Sequence, residues 1–202
     1  MKLIYVMDPM CSWCWAFREP LAAFMENHPE LELNLLMGGL APDNDQPMPY
    51  EQQQKIQAIW YHIEKLTGTQ FNHDFWTKNL PKRSTYPACR AVLTAKLIGG
   101  EKAELDMAEA IQKAFYLRAM NPSESSTLIK LAEEIGLERG QFEPIYFSYD
   151  VVTLFTRQLE ESRRLGVGGF PALLVQTADG LEPLTLGYTD LNKLEQRYKQ
   201  MH

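Results

Sequence analysis

The first apolar run, Lys2-Leu3-Ile4-Tyr5-Val6-Met7, is rich in strand formers and stops at Asp8-Pro9, which predicts a short buried strand. From Ser12 to about His28 the apolar positions Cys14, Phe17, Leu21, Phe24 and Met25 recur at helical spacing. They predict a helix closed by Pro29, with a kink at Pro20 inside it. Residues 31–37 alternate and then turn apolar before Gly38-Gly39, a second strand. Strand, helix and strand in this order form a βαβ unit with parallel pairing.

The pattern changes after residue 40. Residues 41–49 are rich in Pro, Asp, Asn and Gln and read as loop. Helical periodicity then dominates, with helices predicted at Gln52–Leu66, Pro87–Ile98, Glu104–Met120, Ser126–Ile135 and Gln141–Phe147. Gly68, Asn79-Leu80-Pro81, Gly99-Gly100, Asn121-Pro122 and Gly136 punctuate them. A helix at Asp150–Leu165 follows, then strands at Ala172–Gln176 and Pro183–Leu186 around a turn at Ala178-Asp179-Gly180. Thr189 or Asp190 is expected to cap a last helix running to Met201.

The order β-α-β, helical block, α-β-β-α predicts an α/β chain in three parts. Residues 1–39 and 150–202 are the two halves of a thioredoxin-like fold, and residues 40–149 are an α-helical insertion domain. The half-sheets must meet in one sheet to bury their faces, so the core should be continuous although the chain is interrupted.

Composition narrows the classes. The 202 residues carry 20 Lys plus Arg against 26 Asp plus Glu, a net charge of −6. Nucleic-acid binding normally needs a basic surplus, so no nucleic-acid partner is expected. No apolar run approaches the ~20 residues of a membrane span. The N-terminal apolar stretch falls short of the ~7–15 residues of a signal-peptide core. The reading is a cytoplasmic protein that keeps its first strand, monomeric or dimeric, with no membrane partner.

Three cysteines cannot make a fully paired disulfide framework. Two of them, in Cys11-Ser12-Trp13-Cys14, sit between a predicted strand and a predicted helix, the context of a thiol–disulfide redox motif. The helix start favours a thiolate at Cys11, and the two-residue spacer brings Cys14 within disulfide reach. Cys11 is therefore the expected nucleophile, exposed to substrate, and Cys14 the resolving thiol, more deeply buried. Half of a zinc site is the competing use of such a pair. The remaining Cys89, His28, His62, His73 and His202 offer no second half at metal-site spacing, except loosely His62 and His73, and no metal is expected. Two structural cysteines near each other by chance are the other alternative.

A second feature, Gly169-Phe170-Pro171, immediately precedes a predicted strand. Together with Asp8-Pro9-Met10-Cys11-Ser12-Trp13-Cys14-Trp15 and the helical block, it makes the chain resemble a DsbA-type thiol–disulfide oxidoreductase of the cytosolic FrnE-like branch, over essentially the full length. The resemblance implies a thioredoxin core, a helical cap, catalysis by Cys11 and Cys14, and no tightly bound cofactor. It also implies a cis Pro171 facing the cysteines, so that Phe170 offers backbone groups to an extended peptide at the strand edge. Ser12, Trp13, Phe170 and Pro171 are the expected substrate-binding residues. Partners are then protein or small-thiol substrates, with glutathione a candidate co-substrate.

Three features depart from the strongly oxidising members. The spacer is Ser-Trp and not Pro-His, no signal peptide is seen, and Phe170 is bulkier than the usual Val or Thr. Without a histidine cation between the cysteines, Cys11 should have a lowered pKa near the upper end of the ~3.5–7 range of such motifs. A less stabilised thiolate makes a less oxidising couple.

Cys89 and Arg90, at the start of a predicted helix, are accessory candidates. Cys89 is either a buried small hydrophobe or a third thiol, and Arg90 could hold an anionic partner. Trp60 to Ile63 with Phe71, Phe75 and Trp76 fit core better than a substrate groove. Asp8 fits a strand end better than an acid–base group. Two other functions share this architecture. One is a glutathione-dependent isomerase or transferase of the hydroxychromene-carboxylate isomerase or kappa class, which uses a serine at the first motif position. The other is a non-catalytic thioredoxin-fold binding module.

Overall fold

The computed structural model describes residues 2–177 and 180–201. The predicted turn residues Ala178 and Asp179 lie outside them. Four strands form one sheet in the order β2-β1-β3-β4: β1 is Lys2–Met7, β2 Glu32–Met37, β3 Ala172–Thr177 and β4 Gly180–Leu186. β1 and β2 pair in parallel with Tyr5 opposite Leu35 and Met7 opposite Met37. β3 runs antiparallel to β1, with Tyr5 opposite Leu173, and to β4. The two half-sheets, separated by 134 residues of chain between Met37 and Ala172, therefore share the β1–β3 ladder.

α1 (Ser12–Asn27) is the crossover between β1 and β2 and runs continuously through Pro20. The insertion holds α2 (Tyr50–Thr67), a one-turn α3 (Phe75–Lys78), α4 (Tyr86–Tyr116), α5 (Ser125–Glu134) and α6 (Arg139–Tyr146). α7 (Tyr149–Arg164) packs on β2, and α8 (Leu191–Gln200) packs on α1 and β4. Asp190 is the α8 cap, accepting from Lys193 N at 2.9 Å.

Two predicted helices meet as α4. Gly100, at φ 71° and ψ −162°, breaks the helical backbone between them, a left-handed φ that glycine adopts without Cβ strain. Lys96 Nζ reaches Glu104 Oε2 at 2.8 Å and ties the two halves across the break. The second half ends at Tyr116, four residues before the Met120 the apolar pattern suggested. There Ala119 takes φ 52° and Met120 N donates back to Ala114 O at 2.9 Å, a reversal that packs a half-buried Met120 against the core without helix. α3 had no sequence prediction, because a single turn is too short to show periodicity.

Alternation along β1 sorts its residues onto two faces. Leu3, Tyr5 and Met7 join a large cluster with Phe17, Phe24, Trp60, Val92, Ile111, Tyr116, Leu173 and Leu194. Val6 turns the other way into a small cluster with Leu36, Ala172 and Leu174. The large cluster draws on the sheet, α1 and the inserted helices together, so the core is continuous across the interruption.

Candidate active site

Cys11 is the last non-helical residue before α1, at φ −83° and ψ 118°. Its N–H donates to Asp8 O at 3.0 Å and its carbonyl accepts from Trp15 N at 3.0 Å, so the turn after β1 runs directly into the helix. The Cys11 side chain makes no capping bond. The Cys14 thiol beside it is the main force lowering the Cys11 pKa; the Cys14 and Trp13 N–H groups add to this, while burial and the Asp8 charge oppose it. Cys14 is fully buried, and burial with the nearby Cys11 pushes its pKa well above the ordinary thiol value. Both are free thiols, as is Cys89. Charge belongs on Cys11 and the proton on Cys14.

The exposed nucleophile expected from the sequence is corrected here: Cys11 is 6% exposed. The Phe170 carbonyl accepts from Cys11 Sγ at 3.7 Å, and the cysteine opens on a cavity of about 240 Å³ shared with Ser12, Trp13 and Phe170. The Phe170–Pro171 peptide bond is cis. Pro171 is buried immediately before β3, and its carbonyl accepts from Gly187 N at 2.7 Å. The Phe170 ring lies on Gly38, where a Cβ would meet ring carbon Cε1 at 2.1 Å. A bulky residue before Pro171 is thus accommodated by a glycine at the end of β2. Peptide addition to the edge of β3 itself is excluded, because β1 and β4 occupy both of its edges. Only the segment before Ala172 is left to receive an extended chain.

The remaining wall comes from the insertion. Trp60, Phe75 and Phe115 line the cavity as well as the core, and Trp13 sits between His62 and Tyr188 at ring distances of 6.0 and 5.6 Å. Trp15 packs, stacking on Tyr116 at 5.5 Å while its indole N–H donates to Gln70 O at 2.9 Å.

Cys89 and Arg90 are not in this cavity. Cys89 is fully buried with its thiol on Asp8 Oδ2 at 3.5 Å, and burial with that carboxylate raises its pKa far above the ordinary value. The expectation of Arg90 as an anion holder is corrected: both its terminal nitrogens are on Asp43 at 2.8 Å. Lys82 and Arg83 line the cavity instead. Lys82 pairs with Glu124 at 2.9 Å. Arg83 has no hydrogen-bond or ion-pair partner among the described residues. A signal for them did exist, since two adjacent cations just ahead of a helix N-terminus oppose the helix dipole. Among the described residues, no group of three or more His, Cys, Asp or Glu side chains is arranged to hold a metal ion.

The model of the DSBA-like thioredoxin domain matches residues 2–199, and the chain belongs to that family. Among solved structures, a candidate protein disulfide isomerase from Nitrosomonas europaea superposes with a TM-score of 0.87 at 30% identity, covering 100% of this chain and 98% of that one. The cytosolic disulfide reductase DsbM from Pseudomonas aeruginosa does so at 0.77 and 25%, with 100% and 98% covered, and has also been solved with GSH. A 2-hydroxychromene-2-carboxylate isomerase, at 13% identity and a TM-score of 0.64, shares the fold over 100% of this chain and 94% of its own. A curated relative, the ClpXP adapter protein SpxH from Halalkalibacterium halodurans, is 20% identical over 179 residues, 86% of this chain. The chain spans 58% of that relative's length.

Proposed function

We propose that this chain is a cytoplasmic thiol–disulfide oxidoreductase or isomerase in which Cys11 attacks and Cys14 resolves. One observation carries the reading: the sulfur with the lowered pKa opens on the cavity beside Phe170, and its partner is sealed behind it with a raised pKa. Cys11 thiolate attacks one sulfur of a substrate disulfide. A Cys11–substrate S–S bond forms, and the other sulfur leaves as a thiolate. Cys14 then attacks Cys11, and the second substrate sulfur leaves. Two electrons pass from the cysteine pair to the substrate.

Glutathione disulfide fits as the small substrate. Arg83 is a cation free to meet its carboxylates, and the DsbM relative is known with GSH. Ser12 and Trp13 stand on the substrate side of the cavity and Phe170 offers its backbone there. Without a cation in the spacer the Cys11 thiolate is less stabilised, which makes the couple less oxidising, so it should work as a reductant or isomerase.

Trapping tests this directly. Cys14→Ser treated with glutathione disulfide is expected to retain one glutathionyl group on Cys11, and Cys11→Ser to retain none at position 14. Wild-type activity in Cys11→Ser sinks the reading. Glutathione conjugation that survives Cys14→Ala points to the isomerase–transferase class, and partner binding that survives loss of both thiols points to a binding module. Redox titration should place the pair nearer the ~−270 mV of a reducing thioredoxin than the ~−120 mV of a strong oxidant.

A further inference from the structure

The resolving step needs Cys14 to lose a proton, and the cavity in front gives it no way out, because Cys11 covers it there. Asp8, the buried carboxylate of the turn before the motif, is saturated. Oδ1 accepts from Met10 N at 2.8 Å, and Oδ2 accepts from Leu40 N and Thr85 Oγ1, each at 2.6 Å, and from Cys89 Sγ at 3.5 Å.

A second cavity, of about 250 Å³, reaches Cys14 from the opposite side. It lies between α1, the β1–β2 ladder and the second half of α4, and Tyr5, Cys14, Gln112, Arg18 and Glu109 are its polar members. Tyr5 is 5% exposed, lines this cavity together with Cys14, and its hydroxyl has no hydrogen-bond partner among the described residues. Gln112, 4% exposed, brings its amide to the lining of the same cavity. The Arg18–Glu109 pair, at 3.3 Å and partly exposed on both sides, forms the charged part of the rim. A buried water is held by two to four polar partners; Tyr5 Oη, the Gln112 amide and the Cys14 sulfur supply three.

Resting on the redox reading above, we propose that this rear cavity is the proton exit of the resolving thiol, with Tyr5 as a catalytic residue and Gln112 positioning the water that follows it. As the Cys14 sulfur forms its bond to Cys11, its proton passes to Tyr5 Oη, and Tyr5 gives its own hydroxyl proton to the cavity water and so to solvent at the rim. The Cys11–substrate bond breaks with its electron pair leaving on the substrate thiolate, which departs through the front cavity. Tyr5 ends the step as the neutral phenol it began as. No further oxidant or reductant is needed.

Stopped-flow separation of the two steps tests this, with glutathione disulfide as substrate. Mixed-disulfide formation at Cys11 should run at the wild-type rate in Tyr5→Phe, while its resolution by Cys14 slows about 10- to 100-fold, the range of a lost proton-transfer group. The solvent deuterium isotope effect on resolution should change with it. Gln112→Leu, which keeps the volume and removes the amide, should slow resolution in the same direction. Tyr5→Phe deletes an unpaired buried hydroxyl, so it should fold; circular dichroism checks this. Wild-type resolution in both variants overturns the route, and so does equal slowing of both steps. If wild type forms no mixed disulfide at all, the redox reading itself fails and the route with it.

Discussion

At the scale of single residues, Asp8 works as a fastener. Its carboxylate joins the motif turn (Met10), the loop after β2 (Leu40) and the start of α4 (Thr85, Cys89). Burial raises its pKa in spite of these donors. Between the unfolded value, about 3.9, and the raised native value, the folded chain keeps a proton that the unfolded chain has released. The Asp8 contribution to stability is therefore complete below that window and is lost as pH rises through the native pKa. Asp8→Asn turns an NH₂ toward groups that themselves donate and should cost about 1–3 kcal/mol. In urea titrations the gap between wild type and Asp8→Asn should narrow as pH rises from below 4 toward neutrality; a widening gap contradicts the sign. Arg83 belongs to the same scale. Arg83→Glu is expected to raise KM for glutathione disulfide about tenfold, ~1.4 kcal/mol, and to leave KM for the uncharged bis(2-hydroxyethyl) disulfide unchanged. Equal effects on both substrates would separate Arg83 from carboxylate binding.

Between elements, the contact that most directly sets the site is the one between the end of β2 and the start of β3. The Phe170 ring occupies the space a side chain at position 38 would need. Gly38→Ala must displace the ring of Phe170, the residue whose backbone carbonyl faces Cys11, at a cost of about 1–3 kcal/mol for overpacking. Phe170→Ala in the same chain should recover much of that loss. A double-mutant cycle in urea measures it, and additive costs would show that the two positions do not meet. This pair also marks how far sequence reading reaches. β1, α1, β2, β3 and α5 to α8 were legible within a few residues, because apolar period and Gly or Pro punctuation are local. The placement of Cys11 and Cys14 at the start of α1 was legible for the same reason, being set by a four-residue spacing next to a strand end. Phe170 on Gly38 was not, since the two lie 132 positions apart in the chain and only the sheet brings them together. The burial of Cys11, the engagement of Arg90 by Asp43 and the freedom of Arg83 were hidden likewise: each depends on what a remote segment covers or leaves open.

For the molecule as a whole, the question is whether the insertion at 40–149 is a separate unit. Chain order divides it from the thioredoxin-like halves, but packing does not follow the division. Trp60 of the insertion is 1% exposed and meets Phe71, Phe75, Trp76, Phe115 and Tyr116 at ring distances of 4.9–6.0 Å. Tyr116 in turn stacks on Trp15 of α1, next to Cys14. The same cluster reaches β1 and β3 through Tyr5 and Leu173. Helices sharing one core with the sheet cannot lose their packing without exposing the sheet's apolar face. Unfolding should therefore be a single transition, with tryptophan fluorescence and far-ultraviolet circular dichroism giving superimposable urea curves. Trp60→Ala, in the insertion, should lower the midpoint seen by both probes together, at a cost of about 3–5 kcal/mol. Two separated transitions, or a shift confined to one probe, would instead make the insertion an independent domain. The cavity in front of Cys11 would then be a cleft between two bodies free to open. With one core, its walls are fixed before substrate arrives, and the sulfur beneath them is reached through the opening between Phe170 and the aromatic wall of the insertion.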